Sequence, residues 1–343
     1  MPSSTSSSRA AHRGRAVQAA VLFAAAFLAC AVAGQRLARP GGALAYAWPN
    51  PSPDDLPAGS WYAHYRRGTR LESHSVLYQG AGASIDNARR ADVLFLGNSR
   101  LGMGLDVAEH RGFAEATGLR TFDLSLGDTE GVRFAAAILD EHDLRPPLAV
   151  VNADRFFSQV LSRSAQRVQR TSRWERWREA REGALAFAWR TGIGANLPHF
   201  VPRIPVPLDW RAEDVWTIYR SEDDGAWFPW HTPSLDLPVD PGTGSDELRP
   251  RELETARAFL ARQRSHGGSL VLTLVPTTRG DGSLRRAQAL AEALQVPLLA
   301  PRPEGLVTRD GSHLDDRSAR LWSQAFFEAL AAHPHVEALR SGR

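Results

Sequence analysis

Short, mostly apolar segments alternate along the chain with segments in which apolar residues recur at helical spacing. The apolar runs lie at 92–97 (DVLFLG), 121–125, 147–153, 269–276 and 296–300. The helical pattern occurs at 131–141, 249–263, 283–294 and 315–332. Strands without polar alternation are buried on both faces, which is typical of parallel sheets. The pattern therefore predicts an α/β domain over 91–335, with a doubly wound parallel sheet of about five strands covered by helices on both faces.

About a hundred residues between the third and fourth predicted strands break this alternation, and we interpret 155–245 as an insertion. It is rich in arginine and tryptophan. Seven of the ten tryptophans fall in it: Trp174, Trp177, Trp189, Trp210, Trp216, Trp227 and Trp230. Packing against the domain is the favoured interpretation, with stacking on sugar rings or contact with a membrane or partner as alternatives. His231 is interpreted as a structural histidine that could reach a site.

The N-terminal region has the pattern of a membrane anchor. Residues 16–34 are 19 residues with no charge, enough for a helix of about 28 Å, close to the hydrocarbon thickness of a bilayer. Arg9, Arg13 and Arg15 precede the segment, which predicts that 1–15 stay in the cytoplasm. The domain would then lie outside the cytoplasm, in the periplasm of a Gram-negative cell, held to the inner membrane by a single span.

Cleavage of this segment is the alternative, because Ala31-Val32-Ala33 fits a signal-peptidase site. A lipoprotein attachment at Cys30 fits poorly, since Phe27-Leu28-Ala29 is an unsuitable approach sequence. The following residues, 35–90, include a proline-rich stretch and are interpreted as a stalk and lead-in to the domain.

Charge and cysteine content remove several classes of function. All 41 basic residues are arginine, so Schiff-base chemistry and a P-loop lysine are excluded. Three of those arginines precede the apolar segment, and beyond residue 34 the chain has 38 arginines and 38 acidic residues. A balanced domain lacks the charge of a nucleic-acid binder. With Cys30 the only cysteine, neither a disulfide framework nor a zinc finger can form.

A serine directly follows the first predicted strand, in Gly97-Asn98-Ser99-Arg100-Leu101. The carboxyl end of a central strand is where an α/β sheet places its reactive groups. The glycine permits a tight turn, and a following helix would direct amide groups at a developing oxyanion. Leu101 replaces the second glycine of the G-x-S-x-G elbow, and a turn with a helix cap is the alternative for Ser99.

The loop before the last helix supplies a base and its partner. Asp310 and His313 lie three residues apart in Asp310-Gly311-Ser312-His313. A serine nucleophile needs a histidine to take its proton, and the histidine needs an acceptor that fixes its tautomer. A surface histidine is the alternative, and a metal site is disfavoured because a second set of ligands is lacking. No cofactor is expected.

Together these motifs resemble those of the SGNH (GDSL-like) hydrolase family over about 90–153 and 265–332. The resemblance implies a flavodoxin-like sheet, with Ser99 as nucleophile, His313 as base and Asp310 as its partner. It further implies that Gly127, in LSLGDTEG, and Asn152, in VVNAD, donate to the oxyanion. The family's Gly-Asp-Ser is Gly-Asn-Ser here, and its Gly-x-Asn-Asp block lacks the glycine.

The anchor, FLGNSR and DGSHLD together look like the membrane-anchored proteins of polysaccharide O-acetylation, including the alginate-acetylation and D-alanine-transfer types. That resemblance implies an extracytoplasmic serine esterase or O-acyltransferase acting on acyl esters, especially acetyl esters, of a cell-surface polysaccharide. A membrane-bound O-acyltransferase is the implied partner. The alternative is a non-catalytic, membrane-anchored scaffold for an acyltransferase or export complex.

Overall fold

The structure is a computed structural model that describes 55–66, 72–80, 83–127, 130–171, 175, 217–230, 234–239, 247–278 and 283–343. Apart from residue 175, these all belong to one compact unit formed by 50–171 and 212–343. Within these ranges, no helix is long and apolar enough to cross a bilayer. The predicted anchor at 16–34 lies outside the described residues, as do His231 and every insertion tryptophan except Trp227 and Trp230.

The described residues form ten strands and ten helices. In chain order they are β1 (Trp61–Arg66), α1 (Glu72–Gln79), α2 (Ser84–Arg90), β2 (Val93–Leu96), α3 (Ser99–Gly104), α4 (Val107–Thr117), β3 (Thr121–Asp123), α5 (Val132–Glu141), β4 (Leu148–Asn152), α6 (Arg163–Arg170), β5 (Thr217–Ser221), β6 (Trp227–Trp230), β7 (Leu237–Pro238), α7 (Pro250–Ser265), β8 (Ser269–Thr273), α8 (Leu284–Leu294), β9 (Leu298–Leu299), β10 (Val307–Thr308), α9 (Asp316–Ala331) and α10 (Pro334–Ser341).

A five-stranded parallel sheet in the order β3-β2-β4-β8-β9 forms the centre of the unit. Every residue of β2 and β4 is buried, as the unbroken apolar runs predicted. Alternate residues of β2 enter different cores: Leu94 and Leu96 pack with α2, α5, α7 and α8, whereas Val93 and Phe95 pack with α3, α4, α9 and α10. The predicted α/β class, with helices covering both faces of the sheet, is confirmed.

Part of the predicted insertion folds together with part of the lead-in. Strand β5 pairs antiparallel with both β1 and β6, which makes a second, three-stranded sheet. Strand β1 and helices α1 and α2 all lie within 35–90, where the sequence pattern predicted no element. The folded unit therefore begins well before residue 91, because β1 completes a sheet whose other strands lie about 150 residues further along the chain.

Candidate active site

The turn after β2 places Ser99 at the carboxyl edge of the parallel sheet. A Cβ atom added to Gly97 would lie 2.7 Å from the Cβ of Leu101 and 3.2 Å from that of Asn152, so a side chain would not fit this turn. Asn98 caps the next helix, since its side-chain oxygen accepts the Arg100 N–H at 2.9 Å. Helix α3 starts at Ser99 and has only six residues.

The loop 309–313 holds the predicted base and its partner in a tight turn between β10 and α9. Gly311 has φ +80°, a left-handed conformation that favours glycine. Its N–H donates to the Thr308 hydroxyl at 3.1 Å, and its carbonyl accepts the Thr277 hydroxyl at 2.8 Å. The Arg309 N–H closes the turn by donating to the His313 carbonyl at 2.8 Å.

The structure brings Ser99, His313 and Asp310 together as expected. The Ser99 Oγ lies 2.8 Å from His313 Nε2, although the two residues are 214 positions apart in the sequence. The His313 Nδ1 lies 2.8 Å from Asp310 Oδ2. An ionised carboxylate only accepts hydrogen bonds, so Nδ1 carries a proton, and an Nε2 without a proton can accept from the Ser99 hydroxyl. This is the geometry that a serine nucleophile and its base require.

The pKa of the Asp310 carboxyl is lowered well below its ordinary value. Desolvation favours the neutral form, but the hydrogen bond and charge of His313 outweigh it, helped by the backbone N–H groups of His313 and Ser312. Both N–H groups donate to Oδ1 at 2.8 Å. Asp310 is therefore ionised throughout the neutral range, as the orientation of His313 requires.

Replacing Asp310 by asparagine is expected to lower the free energy of unfolding above about pH 4. Because the folded pKa lies below the unfolded value of 3.8, ionisation of Asp310 stabilises the fold above that value. The contribution is lost as the pH falls through the folded pKa. Urea unfolding of wild type and Asp310→Asn from pH 7 to about pH 2 measures the difference. If the free energy of unfolding of the variant stays below that of wild type by a constant amount down to about pH 2, the lowered pKa of Asp310 is contradicted.

The two predicted oxyanion donors lie beside the Ser99 turn. Asn152 ends β4, is fully buried, and packs its Cβ against Gly97. Its Oδ1 accepts the Val275 N–H at 3.1 Å, whereas its Nδ2 has no hydrogen-bond partner among the described residues. Gly127 follows Leu126, whose N–H donates to the Gly97 carbonyl at 2.9 Å. Their role as oxyanion donors stays a prediction.

The β5–β6 hairpin of the insertion contacts the segment that leads to Gly127. The sequence pattern did not indicate this contact. Arg220, in β5, is fully buried and donates to the backbone carbonyls of Ser125, at 2.7 Å, and Asp123. Trp227, in β6, is also buried and lies so close to Gly102 that an added Cβ would be 2.6 Å from its ring. Trp227 therefore packs against the helix that bears Ser99 and is not open for stacking on a sugar.

No group of three or more His, Cys, Asp or Glu residues suited to a metal ion occurs in the described part of the chain. The acidic residues of the 310–316 loop are committed to other contacts. Asp310 binds His313, Asp315 caps α9 and Asp316 pairs with Arg309.

Comparison with known proteins gave no match to a family model, to a curated protein or to a solved structure.

Proposed function

We propose that this protein is a serine esterase or O-acyltransferase that works through an acyl-serine intermediate on Ser99. The observation that carries the proposal is the continuous hydrogen-bonded series from Ser99 Oγ through both ring nitrogens of His313 to Asp310, with both distances at 2.8 Å. The strand order supports it as well, because ranked along the chain it is 2-1-3-4-5, the order of doubly wound, flavodoxin-like sheets. Such sheets bind ligands at the carboxyl edge where Ser99 lies.

The proposed reaction has two halves. Ser99 Oγ attacks the ester carbonyl while His313 Nε2 takes the hydroxyl proton, and the carbonyl electron pair becomes an oxyanion. The oxyanion collapses, the bond to the leaving alkoxide breaks, and His313 returns the proton to it. Water or a sugar hydroxyl then attacks acyl-Ser99 by the same route, which releases the acid or a new ester. The Asn152 amide and the Gly127 N–H are the proposed donors to the oxyanion.

The substrate and location follow from the sequence resemblance rather than from the geometry. Likeness to the SGNH hydrolases of polysaccharide O-acetylation supports acyl esters of a cell-surface polysaccharide as substrate. It also supports anchoring in the inner membrane, with the domain in the periplasm and a membrane-bound O-acyltransferase as partner. The proposed anchor is the 16–34 segment.

The test of the proposed function is hydrolysis of p-nitrophenyl acetate by the full chain. We expect saturable release of p-nitrophenol that is abolished by stoichiometric reaction with a fluorophosphonate, with the phosphonyl group on Ser99. An added sugar alcohol that lowers acetate formation while p-nitrophenol release continues would indicate transfer. Absence of saturable hydrolysis together with absence of labelling at Ser99 would contradict the proposal and favour a scaffold.

A further inference from the structure

A buried polar network connects the Ser99 turn to the histidine loop. Asp154, which follows β4, accepts two hydrogen bonds at its Oδ2: from Asn98 Nδ2 at 2.7 Å and from Arg100 Nη1 at 3.2 Å. The Arg100 Nε donates to the Ser312 hydroxyl at 3.0 Å. The side chain of Asp154 is fully buried and that of Arg100 is 9% exposed.

Each end of the network adjoins a member of the triad. Asn98 and Arg100 are the two neighbours of Ser99, and Ser312 directly precedes His313. The Ser312 N–H also donates to Asp310 Oδ1 at 2.8 Å. A guanidinium group is planar, so its Nε and Nη1 bonds to two different partners fix the distance between those partners. Arg100 thereby fixes the position of the Ser99 turn relative to the loop that carries His313.

We propose that Asp154, Arg100 and Ser312 are positioning residues that align Ser99 Oγ with His313 Nε2. The proposal rests on the proposed function and extends it to residues that do not touch the reacting atoms. Its physical basis is the low dielectric around the buried pair, which strengthens charge-assisted hydrogen bonds and makes the arrangement costly to deform. Small misplacement of a nucleophile relative to its base can lower a rate by about 100-fold.

The same network accounts for asparagine at position 98. Its oxygen accepts the Arg100 N–H at 2.9 Å while its nitrogen donates to Asp154. An ionised aspartate at this position could make the first contact, but it has no proton to donate and would place a second negative charge 2.7 Å from a buried carboxylate. Gly-Asn-Ser, rather than Gly-Asp-Ser, is therefore the form that fits beside Asp154.

The test compares Ser312→Ala with Ser312→Thr, since threonine keeps the hydroxyl that accepts from Arg100. In pre-steady-state hydrolysis of p-nitrophenyl acetate, we expect Ser312→Ala to lower the acylation rate about 10-fold with little change in KM. Ser312→Thr should recover most of that loss. Arg100→Gln should lower the rate further, about 100-fold. Ser265→Ala and Arg264→Gln, at exposed positions on α7, are the matched controls and should retain the wild-type rate.

Thermal unfolding followed by circular dichroism separates positioning from a purely structural role. If Ser312→Ala is folded and acylates within about twofold of wild type, the positioning proposal is wrong. A Ser312→Thr variant that is folded but no faster than Ser312→Ala would also overturn it.

A second readout distinguishes failure of this proposal from failure of the proposed function. The hydrogen-bonded Nδ1 proton of His313 should give a downfield proton resonance in wild type that broadens in Ser312→Ala and returns in Ser312→Thr. If wild type hydrolyses no ester, the proposed function fails while this comparison still decides the positioning proposal. An identical resonance in all three proteins would overturn it.

Discussion

Replacement of Ser99 or of His313 by alanine is expected to lower kcat/KM for p-nitrophenyl acetate by about 10⁴-fold or more. In the proposed mechanism Ser99 supplies the attacking oxygen and His313, whose Nε2 lies 2.8 Å from it, removes the proton, so neither can act without the other. The double variant should therefore be scarcely slower than either single variant. Steady-state kinetics on the full-length proteins measures all three effects.

Matched substitutions outside the site control for loss of activity through a change in the fold. Ser265→Ala and His266→Ala remove a hydroxyl and an imidazole from exposed positions at the C-terminal end of α7, and both variants should keep wild-type kinetics. If the losses in Ser99→Ala and His313→Ala multiply in the double variant, the two side chains act independently and the triad account is wrong.

Replacement of Gly225 by alanine is expected to lower the free energy of unfolding by about 3–5 kcal/mol. Gly225 lies in the turn between β5 and β6 with φ +73°. A Cβ at this position would lie 2.1 Å from the Asp123 carbonyl oxygen and 2.9 Å from the Phe122 ring. Relieving these clashes would move the hairpin away from β3, where the neighbouring Asp224 carbonyl accepts the Asp123 N–H at 2.8 Å.

Gly118→Ala provides the matched control for backbone strain alone. Gly118 has nearly the same φ, +70°, but an added Cβ would meet no atom within 4 Å. We expect Gly118→Ala to lower the free energy of unfolding by only about 1–2 kcal/mol. Urea unfolding of both variants measures the difference. Equal losses at the two positions would show that the β5–β6 turn is not packed against β3 as described.

The central sheet could be predicted because both of its faces are buried. Runs such as 93–97 and 147–151 are apolar throughout, and that pattern has few structural solutions. The second sheet could not be predicted, because its pairing joins Trp61–Arg66 to Thr217–Ser221 across most of the domain. It also buries Arg220 and His64, against the usual preference of such residues for the surface.

The candidate triad could be predicted from chemistry because each motif lies at an end of an apolar run or at the start of a helix. The strand pattern predicts that Ser99 and His313 both lie at the carboxyl edge of the sheet. The supporting residues could not be predicted. Asp154 and Arg100 are ordinary charged residues in the sequence, and only the fold brings Ser312 within 3.0 Å of the Arg100 side chain.

The most direct test of the account is a search for the acyl-enzyme itself. The full-length protein is mixed with p-nitrophenyl acetate, quenched in acid within the first turnovers, digested and analysed by peptide mass spectrometry. We predict one acetyl group on Ser99 in the wild type, and no acetyl group on this peptide in Ser99→Ala or His313→Ala. Saturable hydrolysis without acetyl-Ser99 at any quench time, or acetylation of Ser99 that is undiminished in His313→Ala, would contradict the account.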